Sequence, residues 1–209
     1  MTDPLILYPA LYLLIPVAYL IGSIPFGLLI GKRMGIDLRA SGSKNIGATN
    51  VLRTAGKLPA LLTLIGDSLK GAIPLLLFRT MSGNAASGAE FWEGAIGLTA
   101  VIGHIFQVFL SFKGGKGVAT GFGVIAVYSP VSAAVALLVW ILVAALTRYS
   151  SLAAISAVLS LPFIYLLSGG SFIKIFFGIL LAILIVLKHK QNIKKLVNGT
   201  ESRIGAKAA

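Results

Sequence analysis

The sequence VATGFGVIAVYSPVSAAVALLVWILVAALT, residues 118–147, contains no charged side chain over 30 consecutive positions. An apolar helix of about 20 residues spans the hydrocarbon core of a bilayer, so this stretch can hold one long tilted crossing or two shorter ones. Tyr128-Ser129-Pro130 is a turn-forming sequence that divides it. We therefore predict two crossings here, the first of them short and rich in glycine.

The composition of the whole chain supports a membrane protein. Of the 209 residues, 57% are hydrophobic and only 11% are charged, and the mean hydropathy is +0.95. In soluble domains roughly a quarter of the residues are charged. A soluble chain of this length could not bury so much apolar surface. The absence of cysteine from the sequence excludes disulfides, thiol nucleophiles and cysteine-based metal sites.

Five further apolar segments complete the predicted membrane topology. With the two crossings above they make seven transmembrane helices in an all-α, polytopic fold, which we treat as a single membrane-embedded domain over residues 1–209. The first segment has no basic residue before it and no cleavage site after it, so we expect a retained span and not a signal peptide. The five are Leu5–Ile30, Leu58–Phe78, Gly94–Phe112, Leu152–Leu167 and Phe172–Leu187.

The basic residues orient this topology. The chain has 18 lysines and arginines against 6 acidic residues, a net charge of +12. Such an excess is typical of nucleic-acid-binding proteins when the protein is soluble. With seven crossings, however, all of them except Lys70, Arg79 and Lys174 lie on one side of the membrane. Because basic loops stay in the cytoplasm, we predict an external N-terminus and a cytoplasmic C-terminus, and no nucleic-acid partner.

Three polar segments fall on that cytoplasmic face. The first is RASGSKNIGATN, residues 39–50, followed by Arg53. Its glycine, serine, threonine and asparagine residues expose backbone N–H groups and offer small donors, so the segment suits an anion. A flexible cytoplasmic loop explains the same composition about equally well.

The second polar segment is FKGGKGVAT, residues 112–120, which leads directly into a predicted helix. Glycines allow the backbone to approach a phosphate closely, and the helix N-terminus adds its dipole. It is not a Walker A loop, because Gly117 follows Gly115-Lys116 where serine or threonine is required. A tight turn carrying topology-determining lysines is the alternative.

The third polar segment is KHKQNIKK, residues 188–195, which continues to Glu201 and Arg203. His189, Asn192 and Leu196 recur at helical spacing, so His189 could orient a substrate hydroxyl beside the Asn192 amide. A juxtamembrane basic helix that binds anionic lipid is the alternative.

Two features lie inside predicted spans. Asp67 and Lys70 stand three residues apart on one helix and can form an ion pair, for which a structural and a catalytic role are equally open. His104 stands in an apolar span, where we expect a hydrogen-bonded interior histidine and not a ligand or a base.

The inventory of catalytic groups is small. Asp37, Glu201 and His189 are the carboxylates and the histidine expected on the cytoplasmic face, and no metal-binding motif occurs. A substrate that is already activated, and that needs mainly positioning and charge stabilisation, fits this inventory. An acyl phosphate is such a donor, because its leaving phosphate can accept the proton of an incoming hydroxyl.

These segments resemble the bacterial acyl-phosphate:glycerol-3-phosphate acyltransferase family (PlsY). The likeness covers nearly the whole chain and rests on residues 41–50 with Arg53, on residues 103–104 and 112–120, and on His189, Asn192 and Glu201. Gly22-Ser23 and residues 67–71 also look like the family. Lys44 departs from the pattern, which often has glycine there.

The resemblance implies an enzyme of the bacterial inner membrane with its active site on the cytoplasmic face. It would transfer a fatty acyl group from acyl phosphate to the sn-1 hydroxyl of glycerol 3-phosphate, giving lysophosphatidic acid and phosphate, the first step of phospholipid synthesis. We expect no metal, cofactor or obligate protein partner, and by the same resemblance the acyl chain lies among the helices within the membrane lipid.

The resemblance also implies roles for individual residues. Ser43, Arg53 and Lys116 would hold glycerol 3-phosphate, His189 and Asn192 would contact its glycerol part, and the glycines of residues 112–120 would surround the donor head group. These five residues are the predicted catalytic set. The predicted substrate-binding set comprises Ser41, Gly42, Asn45, Thr49, Asn50, Lys113, Gly114, Gly115, Gly117, Thr120 and Glu201.

Two other classes of protein remain open from the sequence. A transporter of organic phosphates also contains intramembrane ionisable residues and broken helices. However, no internal repeat relates the two halves of the chain, and the polar segments all face one side. A non-catalytic lipid-binding scaffold would need the basic loops but not the ordered motifs.

Overall fold

The computed structural model describes residues 12–82 and 88–206, and every regular element in those two ranges is a helix. A short 3₁₀ turn, Val108–Leu110, is also present. The α-helices are α1 Leu14–Gly22, α2 Phe26–Arg33, α3 Ala48–Ala55, α4 Lys57–Ser82, α5 Ala89–Ile105, α6 Val118–Tyr128, α7 Pro130–Thr147, α8 Ser150–Leu167, α9 Phe172–Lys188 and α10 Lys190–Val197.

Most of the predicted spans correspond to helices long and apolar enough to cross a membrane. Five such segments occur in the described ranges, and α9 with α10 makes a sixth if this pair, bent by 62°, is counted as one. The predicted division of residues 118–147 is confirmed, because α6 ends at Tyr128 and α7 begins at Pro130. Since α6 has only 11 residues, the count of seven crossings stays a prediction.

The first predicted span is only partly described. Residues 1–11 lie outside the described ranges, as does Lys207 of the predicted basic tail. The remainder of the span forms α1 and α2, which are separated at residues 23–25. The proposed external N-terminus therefore rests on the sequence alone.

The long α4 and the short α6 make a close crossing at the centre of the molecule. A Cβ atom on Gly71 of α4 would lie 2.2 Å from the Thr120 carbonyl oxygen, and one on Gly123 of α6 would lie 1.9 Å from the Ser68 carbonyl oxygen. Small residues of this kind allow helix backbones to touch inside a membrane. The crossing fixes the N-terminus of α6 against the middle of α4, where Asp67 and Lys70 lie.

Two boundaries differ from the sequence prediction. The predicted loop between residues 31 and 57 contains α3, an eight-residue helix that buries Asn50 and Val51. The third span was predicted over Gly94–Phe112, and the candidate span in the structure runs from Ala89 to Leu110, but its α-helix, α5, ends at Ile105. The backbone N–H groups of Gly114 and Gly115 fold back onto the carbonyls of Ile105 and His104, at 3.1 and 3.0 Å. These bonds satisfy the last carbonyls of α5 in place of a further helical turn.

Ion pairs join the helices at the end opposite the polar segments. Arg79 of α4 donates two hydrogen bonds to Glu93 of α5, at 2.6 and 3.0 Å. Lys174 of α9 lies 3.3 Å from Glu90 of α5. Arg79 and Lys174 are the two basic residues that the predicted topology places on the side opposite the basic loops, and both are paired with carboxylates.

Candidate active site

The three polar segments converge on one cavity of about 1140 Å³. All the predicted site residues line it except Ser41, Gly115 and Thr120. Those that do are Gly42, Ser43, Asn45, Thr49, Asn50, Arg53, Lys113, Gly114, Lys116, Gly117, His189, Asn192 and Glu201. Residues as far apart in the chain as Gly42 and Glu201 are thus brought to a single site.

Asn50 gives the first segment its shape. This asparagine is buried, and its Oδ1 atom accepts a hydrogen bond of 2.8 Å from the Ser43 backbone N–H. Its Nδ2 atom lies 2.7 Å from the Asn45 carbonyl oxygen and 3.1 Å from that of Ser41. These bonds give the segment one defined conformation, which favours a built site over the flexible-loop alternative. The side-chain amide of Asn50 therefore stabilises its own loop. Ser43 and Arg53 line the cavity and are available to a ligand.

The departure at Lys44 coincides with an unusual backbone conformation. Lys44 has a φ of +58°, in the left-handed region that favours glycine. This conformation explains why glycine suits the position, as it does at Gly42, whose φ is also +58°. In this chain the loop carries an extra exposed cation at the rim of the cavity.

The second segment presents the N-terminus of α6 to the cavity. The amides of Gly114 and Gly115 are already donated to the carbonyls at the end of α5. The amides of the first turn of α6 have no acceptor within the helix, and Gly117 and Val118 line the cavity. A phosphate would therefore be bound by the start of α6, and the glycines at 114 and 115 serve to hold the loop close to α5.

Side-chain hydrogen bonds connect the second and third segments. The Lys116 ammonium donates to Asn192 Oδ1 at 2.5 Å, and Asn192 Nδ2 donates to Glu201 Oε1 at 2.7 Å. Ser151, at the start of α8, donates to the same Glu201 oxygen at 2.6 Å. Lys116 and Asn192 are therefore held at fixed positions. The Oε1 atom of Glu201 connects them to α8, because it accepts hydrogen bonds from both Asn192 and Ser151.

The charge state of Lys116 follows from its surroundings. Burial lowers the pKa of Lys116 to about 8, Glu201 opposes this shift, and Lys195 and Arg53 add to it. The ammonium is therefore still mostly protonated at neutral pH. It provides a partly desolvated positive charge, which attracts a phosphate more strongly than a lysine in water does.

The protonation state of the His189 ring follows from the hydrogen bond of its Nδ1 atom. This buried histidine lies between α9 and α10, and its Nδ1 atom is 2.7 Å from the Ile185 carbonyl oxygen. A carbonyl oxygen only accepts, so the proton lies on Nδ1. Burial lowers the pKa of His189 to about 4. The imidazole is therefore neutral at neutral pH, and its Nε2 lone pair can accept a hydrogen bond from a hydroxyl.

Several cavity residues were not predicted from the sequence. Ser150 accepts or donates a hydrogen bond of 3.1 Å with Thr49, and Ser151 binds Glu201 as described above. Both begin α8, where the sequence reads simply as the start of an apolar span. Lys195 was one of several basic residues in the tail, and nothing in the pattern distinguished it. Other lining residues outside the two predicted sets are Arg39, Lys44, Asp67, Ser68, His104, Gln191 and Ser202.

The far part of the cavity is apolar and reaches between the helices. Its walls include buried side chains of α8, among them Ala157, Val158 and Leu161, together with Leu137 and Trp140 of α7. The cavity is therefore amphipathic, with cations, amides and hydroxyls at one end and hydrocarbon at the other. Among the residues described, no group of three or more metal-ligating side chains occurs.

The intramembrane pair predicted at Asp67 and Lys70 is confirmed. The Lys70 ammonium lies 2.7 Å from Asp67 Oδ1, and both side chains are buried. Lys70 also donates to the Ile24 carbonyl oxygen at 2.8 Å, at the break between α1 and α2. His104 is buried as expected, but its Nδ1 atom has no hydrogen-bond partner and lies 3.6 Å from Asp67 Oδ1.

Comparison with known proteins places this site in context. A sequence model of the family described as glycerol-3-phosphate acyltransferase matches residues 12–199. A glycerol-3-phosphate acyltransferase of Geotalea daltonii is 47% identical over 185 residues, covering 88% of this chain and 93% of that protein. One from Methylococcus capsulatus is 46% identical over 200 residues, covering 95% and 98%.

Two solved structures are also similar. One is a crystal structure of PlsY (YgiH), an integral membrane glycerol 3-phosphate acyltransferase, in its glycerol 3-phosphate form. It superposes with a TM-score of 0.87 at 40% identity, covering 94% of this chain and 96% of that one. The lysophosphatidic acid form of the same protein gives a TM-score of 0.85 at 38% identity.

Proposed function

The chain belongs to the glycerol-3-phosphate acyltransferase family, and we propose that it transfers a fatty acyl group from acyl phosphate to the sn-1 hydroxyl of glycerol 3-phosphate. The products are lysophosphatidic acid and inorganic phosphate. It is an integral membrane protein with several apolar helices. In our proposal it catalyses the first step of bacterial phospholipid synthesis, at the cytoplasmic face of the inner membrane.

One observation carries this proposal: the site is a single amphipathic cavity whose polar end holds Lys116, Arg53 and the start of α6. Both proposed substrates carry a phosphate, and one of them also carries a long acyl chain. A polar end continuous with an apolar end accommodates such a donor with its head group in the first and its chain in the second. Membrane lipid surrounds the apolar helices and supplies the route for the chain.

The donor phosphate is assigned to the second segment. The N-terminus of α6 provides unpartnered amides and a partial positive charge, and Lys116 provides a full one. Lys113 and the glycines at 114, 115 and 117 form the turn that brings this helix start to the cavity, and Thr120 packs behind it. With the donor phosphate bound at the start of α6, the acyl carbon would lie between the polar and apolar ends of the cavity.

Glycerol 3-phosphate is assigned to the first and third segments. Ser43 and Arg53 bind its phosphate together with Lys116, while His189 and Asn192 face its hydroxyls. Nε2 of neutral His189 accepts a hydrogen bond from the sn-1 hydroxyl. The shaping residues Ser41, Gly42, Asn45, Thr49 and Asn50 hold the first segment in place, and Glu201 holds Asn192.

The reaction follows from this arrangement. The sn-1 hydroxyl oxygen attacks the acyl carbon, the bond from that carbon to the phosphate oxygen breaks, and the hydroxyl proton ends on the departing phosphate. Glu201 holds Asn192 and Ser151 through its Oε1 atom, and this scheme uses it as a positioning residue and not as a base. The protein contributes orientation and stabilisation of negative charge, which are large terms in catalysis. No metal, cofactor or obligate protein partner is required by this scheme.

The topology that completes the proposal has seven crossings in one domain over residues 1–209, with the N-terminus outside and the C-terminus in the cytoplasm. The short α6 counts as one of the seven, and α9 as another. This arrangement keeps the three polar segments on the cytoplasmic side, where a soluble, charged acceptor such as glycerol 3-phosphate is available.

A comparison of donors tests the proposal. The purified protein is incubated with labelled glycerol 3-phosphate and palmitoyl phosphate, palmitoyl-CoA or palmitoyl-acyl carrier protein. We expect lysophosphatidic acid with palmitoyl phosphate alone. Product formation with only a thioester would refute the acyl-phosphate donor. Uptake of glycerol 3-phosphate into vesicles without any acyl product would support a transporter. If the protein showed neither activity, the lipid-binding scaffold would be the remaining interpretation.

A further inference from the structure

His104 is a buried histidine that the scheme above does not use. It lies in the last turn of α5, is 3% exposed and lines the cavity, as does Asp67 of α4. Its Nδ1 atom faces Asp67 Oδ1 at 3.6 Å, and Asp67 is in turn paired with Lys70. An ionisable group in a membrane-spanning segment is costly to bury and by default marks a functional site.

The ring of His104 lies directly behind the donor loop. A Cβ atom on Gly115 would be only 2.2 Å from His104 Nε2, which is the ring atom nearest that position. The Gly115 backbone N–H also donates to the His104 carbonyl oxygen at 3.0 Å. The loop that presents Lys116 and the start of α6 therefore rests on this imidazole.

The ring is also unsatisfied in its hydrogen bonding. Nδ1 has no hydrogen-bond partner, although nearly all buried polar groups have one. Gln107, three residues on, is likewise buried and unpartnered, but it does not line the cavity. Of these two side chains, only His104 could reach a bound ligand, and this difference identifies Gln107 as a matched control.

We propose that His104 is a further substrate-contacting residue, which donates a hydrogen bond from Nε2 to the phosphoryl group of the donor, with Asp67 as its positioning residue. This inference rests on the proposed function. Phosphate oxygens are acceptors, so the proposed contact requires a proton on Nε2. Lys70 balances the charge of Asp67 and lies 2.7 Å from the same carboxylate oxygen that faces His104.

The contact gives His104 a role when the acyl group leaves. As the bond between the acyl carbon and the phosphate oxygen breaks, negative charge grows on the phosphate, and an N–H donor stabilises it. The hydroxyl proton still ends on the phosphate, so His104 neither gains nor loses a proton over the cycle. Lys116 and His104 then approach the leaving group from two sides.

Kinetics of two substitutions test the contact. His104→Leu removes both nitrogens at similar size, and His104→Gln keeps an N–H donor. We expect His104→Leu to raise the KM for palmitoyl phosphate and the Ki of inorganic phosphate by about 10- to 100-fold, as for a lost hydrogen bond to a charged group. The KM for glycerol 3-phosphate should stay within about twofold, and His104→Gln should recover most of the loss. Gln107→Leu should leave all three constants unchanged.

Several outcomes would overturn the inference. They are unchanged donor constants in His104→Leu, an equal rise in both KM values, or the same effect in Gln107→Leu. If the wild-type protein does not use palmitoyl phosphate at all, the proposed function fails first. If the wild-type protein uses it and the His104 variants behave like wild type, only the present inference fails.

A spectroscopic test does not depend on how the His104 variants fold. The chain has two histidines, so a nitrogen-15 imidazole spectrum of a His189→Gln variant reports His104 alone. Titration with inorganic phosphate should shift the Nε2 resonance toward that of a hydrogen-bonded N–H. A spectrum that phosphate does not change would contradict the contact.

Discussion

Lys116 is the residue through which the three polar segments meet. It belongs to the second segment, donates to Asn192 of the third and shares the cavity with Arg53 of the first. Because Asn192 is itself held by Glu201, the ammonium has a defined position before any substrate arrives. Preorganised charge of this kind needs no reorganisation when negative charge develops in the transition state.

Replacing Lys116 therefore tests its assignment. We expect Lys116→Ala to lower kcat/KM by about 100-fold or more, the usual effect of losing one charge-stabilising contact. The exposed Lys190, beside His189 but outside the cavity, provides the control, and Lys190→Ala should retain the wild-type rate. Steady-state assays with both substrates measure this. Near wild-type turnover of folded Lys116→Ala would show that the assignment is wrong.

The lowered pKa of Lys116 predicts a pH dependence. The protonated form binds phosphate, so kcat/KM for glycerol 3-phosphate should fall as the pH rises past about 8. Arginine stays charged at much higher pH. In Lys116→Arg the fall should therefore move to higher pH, whatever the absolute rate. A descending limb that stays in place in this variant would have to come from another group.

Lys44 provides a test of backbone strain at a single residue. A non-glycine residue in the left-handed region is strained, so Lys44→Gly should stabilise the folded protein by up to about 1 kcal/mol. Lys44→Ala removes the charge but keeps the strain, and should give no such gain. Thermal unfolding in detergent measures both variants. Equal stabilisation by the two would attribute the effect to charge.

At this scale the sequence predicts residue types better than their roles. Ser43, Arg53, Lys116, His189 and Asn192 were all assigned by resemblance, and all five line the cavity. The protonated nitrogen of His189, and the use of the Asn50 amide within its own loop, depend on distances that only tertiary packing fixes. Ser151 has no distinguishing pattern, because its partner Glu201 is 50 residues away.

Among the elements, the crossing of α4 and α6 decides where the donor loop lies. Gly123→Ala would place a methyl group 1.9 Å from the Ser68 carbonyl oxygen, so the two helices must separate. We expect a large loss of thermal stability. Gly121→Ala on the same helix meets only the side chains of Leu181 and Ile185, at 3.4 Å or more, and should be tolerated. Equal melting temperatures for the two variants would contradict the close crossing.

Helix boundaries were predictable where local signals are strong. Proline at the start of α7 marks a boundary that the sequence already shows. The end of α5 was not predictable, because residues 106–110 are as apolar as the helix before them and the stop comes from the amides of Gly114 and Gly115. The short α3 was missed because half of its eight residues are polar and all of them sit within a basic loop.

At the scale of the whole molecule, the charged residues are distributed unevenly between the two ends of the helices. Lysines, arginines and glycine-rich segments gather at one end, whereas Arg79 and Lys174 at the other end are paired with Glu93 and Glu90. Composition predicted the membrane class, and the positions of the basic residues relative to the predicted spans predicted this asymmetry. Composition could not predict the amphipathic cavity, because the apolar walls come from helices that read simply as membrane spans.

The central claim is that the cavity catalyses acyl transfer from acyl phosphate to glycerol 3-phosphate. The most direct measurement uses palmitoyl phosphate with oxygen-18 in the bridge between the acyl carbon and phosphorus. With purified protein and glycerol 3-phosphate, we predict equal amounts of lysophosphatidic acid and inorganic phosphate, with the label entirely in the phosphate. Absence of lysophosphatidic acid, or label retained in an acyl product, would contradict the account.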